Sequence, residues 1–113
     1  MHQAIYDELK RVARSGRVIH YSDIAPLAGL DLKRPDHRTR ISEILAEVAT
    51  HEHANGRPLL SAVVVHTEGE NNGSPGVGFY AIARELGVMR GNDQVTFFAE
   101  ELKRVFAFWK NAS

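Results

Sequence analysis

Six histidines, fourteen carboxylates and no cysteine define the chemistry open to this 113-residue chain. Without cysteine there is no disulfide, no thiolate nucleophile and no cysteine-ligated zinc. His51-Glu52-His53 puts two imidazoles at i and i+2 on a helix, where they point to different sides. Helical zinc sites need i and i+4, so the pair reads as surface residues near a helix end. His66, Glu68 and Glu70 would share one face of a strand by its period of two. They run into a glycine-rich loop with no fourth ligand, and no metal is expected. Ser61, His66 and Asp23 supply the types for nucleophile, base and orienter, but no Gly-x-Ser-x-Gly turn presents the serine. Gly73-Ser74-Pro75-Gly76-Val77-Gly78 lacks the Gly-Lys-Ser/Thr of a phosphate loop and reads as a turn. No catalytic residue, metal or cofactor is therefore expected, and the chain is not read as an enzyme.

The cations are more informative. Lys33, Arg34, Arg38 and Arg40, with His37 and Thr39 between, span a loop and the first turn of a helix. Base-reading and phosphate-contacting groups occupy such a place in helix-turn-helix proteins. Arg38 and Arg40 diverge by about 200° on an ideal helix, so at most one faces a groove squarely. Cations at a helix N-terminus oppose the macrodipole; the alternative to a binding role is a solvated helix start. Lys10, Arg11 and Arg14 suit the C-terminal end of a first helix, which leaves Arg17, just beyond, for a phosphate. Fourteen basic and fourteen acidic side chains give no net charge. A general nucleic-acid binder usually carries a basic excess, so only a local basic face would serve.

Apolar periodicity places the elements. Ile5, Leu9 and Val12 mark a helix over 3–14, stopped by Ser15-Gly16. Arg17 to His20 is β-prone. Ser22 suits an N-cap for a short helix over 22–29, with Pro26 in its first turn. A third helix is expected over 36–54, capped by Asp36 or Thr39, with Ile41, Ile44, Leu45 and Val48 inside. Leu59–His66 reads as a buried strand and 67–76 as a polar loop. Gly78–Ile82 reads as a returning strand, or as a strand passing into a short helix through Leu86. A last helix spans about 93–110, with Phe98, Leu102, Val105, Phe106 and Trp109 on one face. Phe97 and Phe108 lie off that stripe. With Trp109 they are candidates for a partner or homodimer surface.

The order helix, short strand, helix, helix, strand, loop, strand is that of an α+β winged helix, here one domain over 1–113. Gly16-Arg17-Val18-Ile19-His20-Tyr21-Ser22-Asp23-Ile24-Ala25 resembles the Gly-x-Val-x-x-Tyr-x-x-Ile-Ala signature of alkylguanine-DNA alkyltransferases and alkyltransferase-like proteins. Pro58 before the next strand fits the same pattern. The resemblance implies a winged-helix DNA-binding domain and a place for Tyr21 beside DNA; the alternative for Tyr21 is a ring packed at the strand–helix junction. The family's Pro-Cys-His-Arg-Val is missing, since the chain reads Pro58-Leu59-Leu60-Ser61-Ala62-Val63. Alkyl transfer is therefore not expected.

The expected function is a non-enzymatic binder of double-stranded DNA, a small regulator or an accessory of DNA metabolism. Arg38, Arg40 and Lys33 would make base or phosphate contacts, and Arg34 and Arg17 phosphate contacts. The loop 67–76 would be the wing, though it carries Glu68 and Glu70 and no cation. The alternative is a protein-interaction module on the same fold, as a subunit or a defence or toxin-neutralising accessory. Acids within Met1–Glu8 argue against a signal peptide, and the longest apolar run, Ala62–Val65, cannot cross a bilayer. A cytoplasmic setting is expected.

Overall fold

The apolar run Leu59–Val65 is the axis of the fold, and all seven of its residues are buried. The computed structural model describes residues 1–66 and 73–110. Its elements are α1 (Gln3–Arg14), β1 (Ile19–His20), α2 (Tyr21–Ile24) and a 3₁₀ turn (Ala25–Ala28). There follow α3 (Pro35–Ala54), a second 3₁₀ turn (Leu60–Val63), β2 (Val64–Val65), α4 (Val77–Glu85) and α5 (Gln94–Lys110). The fold is a helix-rich α+β arrangement, and no helix among the described residues is long and apolar enough to cross a membrane.

Helix α1 buries Ile5, Tyr6, Leu9, Val12 and Ala13. It packs on α5 and on the 60–63 turn, while α3 covers that turn from another side and meets α4. Pro26 has no N–H to continue α2, so the expected helix over 22–29 is divided into α2 and the 3₁₀ turn. The residue preceding α2 is His20, and Ser22 lies inside it. Gly29 then turns the chain in a left-handed conformation (φ 67°) that a side chain would resist. Helix α3 starts on Pro35 after Arg34, and no side chain caps it. The preset φ of proline fits the first helical position. Asp36 and Thr39, expected as caps, lie within the first turns. The Thr39 hydroxyl donates to the Pro35 carbonyl at 3.2 Å.

The two expected strands are corrected. A continuous apolar run enclosed by helices has no solvent face to alternate with, and only Val64–Val65 is strand. It pairs with β1 in parallel, Ile19 with Val64 and His20 with Val65. The returning strand is absent among the described residues and helix α4 runs from Val77 to Glu85, so of the second alternative its short helix ending at Leu86 is found without the strand before it. Phe79, Tyr80 and Ala83 are buried there at helical spacing. The expected hairpin survives at its base alone: His66 N–H donates to the Ser74 carbonyl at 2.9 Å, and Gly73 N–H to the His66 carbonyl at 2.8 Å. Residues 67–72 of the expected wing lie outside the described residues.

In α5 the fully buried line is Glu101, Val105 and Trp109. Phe98, Leu102 and Phe106 are half-buried beside it. Trp109, expected at a partner surface, is only 6% exposed. The Arg14 guanidinium lies 5.5 Å from its ring centroid. Phe97 is also drawn to the core, its ring centroid 5.9 Å from that of Phe79. Phe108, 39% exposed, is the member of that set left at the surface.

Two buried carboxylates hold the start of the central segment. Glu101 Oε2 accepts the Leu59 N–H at 2.8 Å, and its other oxygen accepts from Arg104 at 3.0 Å. Glu52 pairs with Arg57, whose Nη2 donates to the Tyr6 hydroxyl at 3.4 Å. Burial first, and then the Glu52 carboxylate, push the Tyr6 phenol up from 10.0 to about 12.

Two outcomes follow from these clamps. Glu101→Ala strands a buried N–H and should cost about 2 kcal/mol, lowering the thermal midpoint by roughly 10 °C. Glu101→Gln keeps an acceptor and should lose less, as calorimetry on the pair will show. Because the folded state holds the Tyr6 proton more tightly, that contribution is complete below pH 10 and fades as pH rises towards 12. Tyr6→Phe should therefore flatten the alkaline limb of the stability–pH curve; an unchanged limb would contradict the assignment.

Candidate functional site

The parallel register sets the site. With Ile19 beside Val64 and His20 beside Val65, the residues that follow the two strands are Tyr21, the first of α2, and His66. Their rings stack with centroids 4.5 Å apart and planes at 23°. The Tyr21 hydroxyl accepts the Gly76 N–H at 3.0 Å. Gly76 has ordinary backbone angles, φ −74° and ψ 171°. What it lacks is room. A Cβ there would lie 3.0 Å from His66 Nε2 and 3.1 Å from the Tyr21 hydroxyl.

Behind this stack is a pocket of about 280 Å³. Arg38, Ile41, Ser42 and Leu45 line it from one face of α3, and Phe79 and Ile82 from α4. Ser61 reaches it from the central turn, and Gly76, Val77 and Gly78 bring the start of α4 to its edge. Burial lowers the His66 pKa below 6.5, so its imidazole is neutral at neutral pH. Burial raises the Tyr21 phenol, opposed by the Gly76 N–H it accepts. Tyr80 is raised too, by burial and then by Tyr21. A shallower concavity of about 650 Å³ adjoins the pocket and shares Tyr21, Leu32, Arg38 and His66 with it. Lys33 lines this second hollow.

Tyr21, Lys33 and Arg38 are thus brought to one surface. Arg38 Nη1 donates to the Leu32 carbonyl at 3.0 Å, which holds its guanidinium at the rim. Arg34 turns to Asp36 at 3.5 Å, and Arg40 lies 3.9 Å from Glu43. Neither lines the hollows, in keeping with the divergence of Arg38 and Arg40 around the helix. Arg17 is exposed in the turn after α1. The Tyr21 ring packs at the strand–helix junction, as one reading has it, but its hydroxyl is bonded to backbone.

Ser61 and His66 share the pocket, but no hydrogen bond joins them. Asp23 faces His20 instead, its carboxylate 3.4 Å from the imidazole Nδ1. The three residues do not form a hydrolytic set. Among the described residues no cluster of three metal-ligating side chains occurs. His51 meets the Tyr6 ring edge-on at 5.5 Å, while Glu52 between the two histidines is buried. The sequence reading misses the pocket itself. Its local signals are Ser61, a hydroxyl inside an apolar run, and the small pair Gly76 and Gly78.

The two glycines respond differently to a methyl group. Gly76→Ala should destabilise by about 1–3 kcal/mol, because the stacked rings must move. At Gly78 the nearest atoms to an added Cβ are in Ser42, at 3.8 Å. Gly78→Ala should stabilise α4 by roughly 0.5–1 kcal/mol. Denaturant melts that rank the two variants the other way would refute this packing.

Comparison with protein families, with curated proteins and with solved structures gave no match.

Proposed function

We propose that the protein binds double-stranded DNA, with the start of α3 and the loop before it turned to the duplex, and with no bond-making step of its own. One observation carries this reading: Lys33 and Arg38 converge with Tyr21 on one concave surface at the N-terminal end of a 20-residue helix. Cations placed there oppose the helix dipole, so α3 gains nothing from them. A phosphate or base edge would give Lys33 a partner and Arg38 a further one beside the Leu32 carbonyl. The unit α2, 3₁₀ turn, Gly29 and α3 follows helix-turn-helix order, with α3 as the helix that meets the major groove. In this reading the fold is a winged helix in which α4 replaces the second hairpin strand. The chain is then a distant relative of the alkyltransferase-like proteins, with Tyr21 beside the DNA. Arg34, Arg40 and Arg17 add phosphate contacts once their side chains swing from their acidic neighbours or from solvent. Such a domain would act as a regulator or an accessory of DNA metabolism.

A protein-contact role is the second reading. Val95 is 79% exposed on α5, the helix that also carries exposed Phe108.

Fluorescence anisotropy with a random duplex distinguishes the two. Micromolar binding that weakens with salt is expected, with a slope of about −0.9 per phosphate contacted. Removing both Lys33 and Arg38 by alanine substitution should weaken binding at least about fivefold and reduce the slope by about two contacts. No binding at about 50 mM salt, where phosphate contacts are strong, would end the DNA reading in favour of a protein partner.

A further inference from the structure

The pocket behind the Tyr21–His66 stack has a polarity that duplex binding does not use. Ser61 is 4% exposed and lines it. Its hydroxyl makes no hydrogen bond to another described residue, and it borders an open cavity where a ligand oxygen could reach it. The start of α4 borders the same cavity, and no side chain caps that helix. Arg38 is the one formally charged side chain among the described residues that line it, and no carboxylate of theirs does. Its guanidinium spends an N–H on Leu32 and has others to offer. The remaining walls, Ile41, Leu45, Phe79 and Ile82, are apolar. The volume of about 280 Å³ equals roughly nine waters at about 30 Å³ each.

We propose that this pocket binds a small organic monocarboxylate with a compact apolar body, its carboxylate held by Arg38 and the Ser61 hydroxyl. A carboxylate accepts from a guanidinium and a hydroxyl at once, and its negative charge suits the uncapped start of α4. The apolar body replaces water along α3 and α4. A neutral ligand of the same shape would leave the Arg38 charge unanswered. The site does not need DNA, because its lining residues are already in place in the free protein. If both readings hold, Arg38 belongs to the two surfaces, and the carboxylate would compete with the duplex for it.

Sodium benzoate and its neutral counterpart benzamide are the probes, titrated into the full chain without DNA and followed by NMR and by thermal melting. Benzoate is expected to bind with a dissociation constant of roughly millimolar order, as suits so small a ligand. Benzamide should bind at least about fivefold more weakly, and Ser61→Ala and Arg38→Gln should each weaken benzoate by a similar factor. Ser61→Ala should melt no lower than the parent protein, since it deletes an unpartnered hydroxyl. Equal binding of the two probes, no binding of either, or benzoate binding unchanged in Ser61→Ala would overturn the proposal. So would a much lower melting point for Ser61→Ala, which would show the hydroxyl bonded within the fold. A duplex carrying 2-aminopurine that brightens on binding, while benzoate stays silent, would assign the cavity to an extruded base instead.

Discussion

Everything else in this fold depends on the restraint of a short apolar segment at its centre. Leu59–Val65 has almost no ladder of its own, since β2 has two residues and one neighbour. Its backbone groups need partners that a full sheet would otherwise provide. Glu101 from α5 supplies one to Leu59 N–H, and the Glu52–Arg57 pair anchors the chain just before it. Both carboxylates are fully buried, where a charge is tolerated only when it is paired and bonded. The helices α1, α3 and α5 can then pack on the segment as one core.

Once that segment is held, the parallel register follows, and with it the candidate surface. The alignment of β1 with β2 carries Tyr21 and His66 to the same level. Their stack forms a wall between the pocket and the shallower hollow outside it. Gly76 closes against both rings because it has no side chain. The turn that brings Gly76 there is pinned by backbone bonds from His66 and Gly73. A core constraint and a surface cavity are thus joined through a few residues.

Charge is distributed unevenly on this neutral chain. Six of the fourteen lysines and arginines lie against acids, as Arg11 with Glu8 and Arg34 with Asp36. Lys33 and Arg38 form no ion pair, and both border the concave surface, where Asp31 is the one acid beside them among the described residues. A zero sum therefore hides a local positive rim, which is the quantity that matters for an anionic partner. The apolar interior behind the rim favours a ligand with a compact apolar body.

Periodicity alone determined α1, α3 and α5 to within a residue or so, because each buries one stripe against a single core. It also placed the basic start of α3, whereas Tyr21 was singled out only by the resemblance of Gly16–Ala25 to the alkyltransferase signature. The segment after Pro58 was read less well. An apolar run such as Leu59–Val65 has the same pattern whether it is a strand or a turn enclosed by helices, and only its neighbours decide. Phe79, Tyr80 and Ile82 suit a strand by composition, yet α3 presents a surface that a helix fills better. Glu101 carries no local mark of burial, since the Leu59 N–H that it accepts lies 42 residues away and is a backbone group. The pocket is of the same kind: Ser61, Arg38 and Gly76 are distant in sequence, and their meeting is set by β-register and helix packing. Local pattern determined which residues form helices; long-range contact decided which polar groups are inside and what they face.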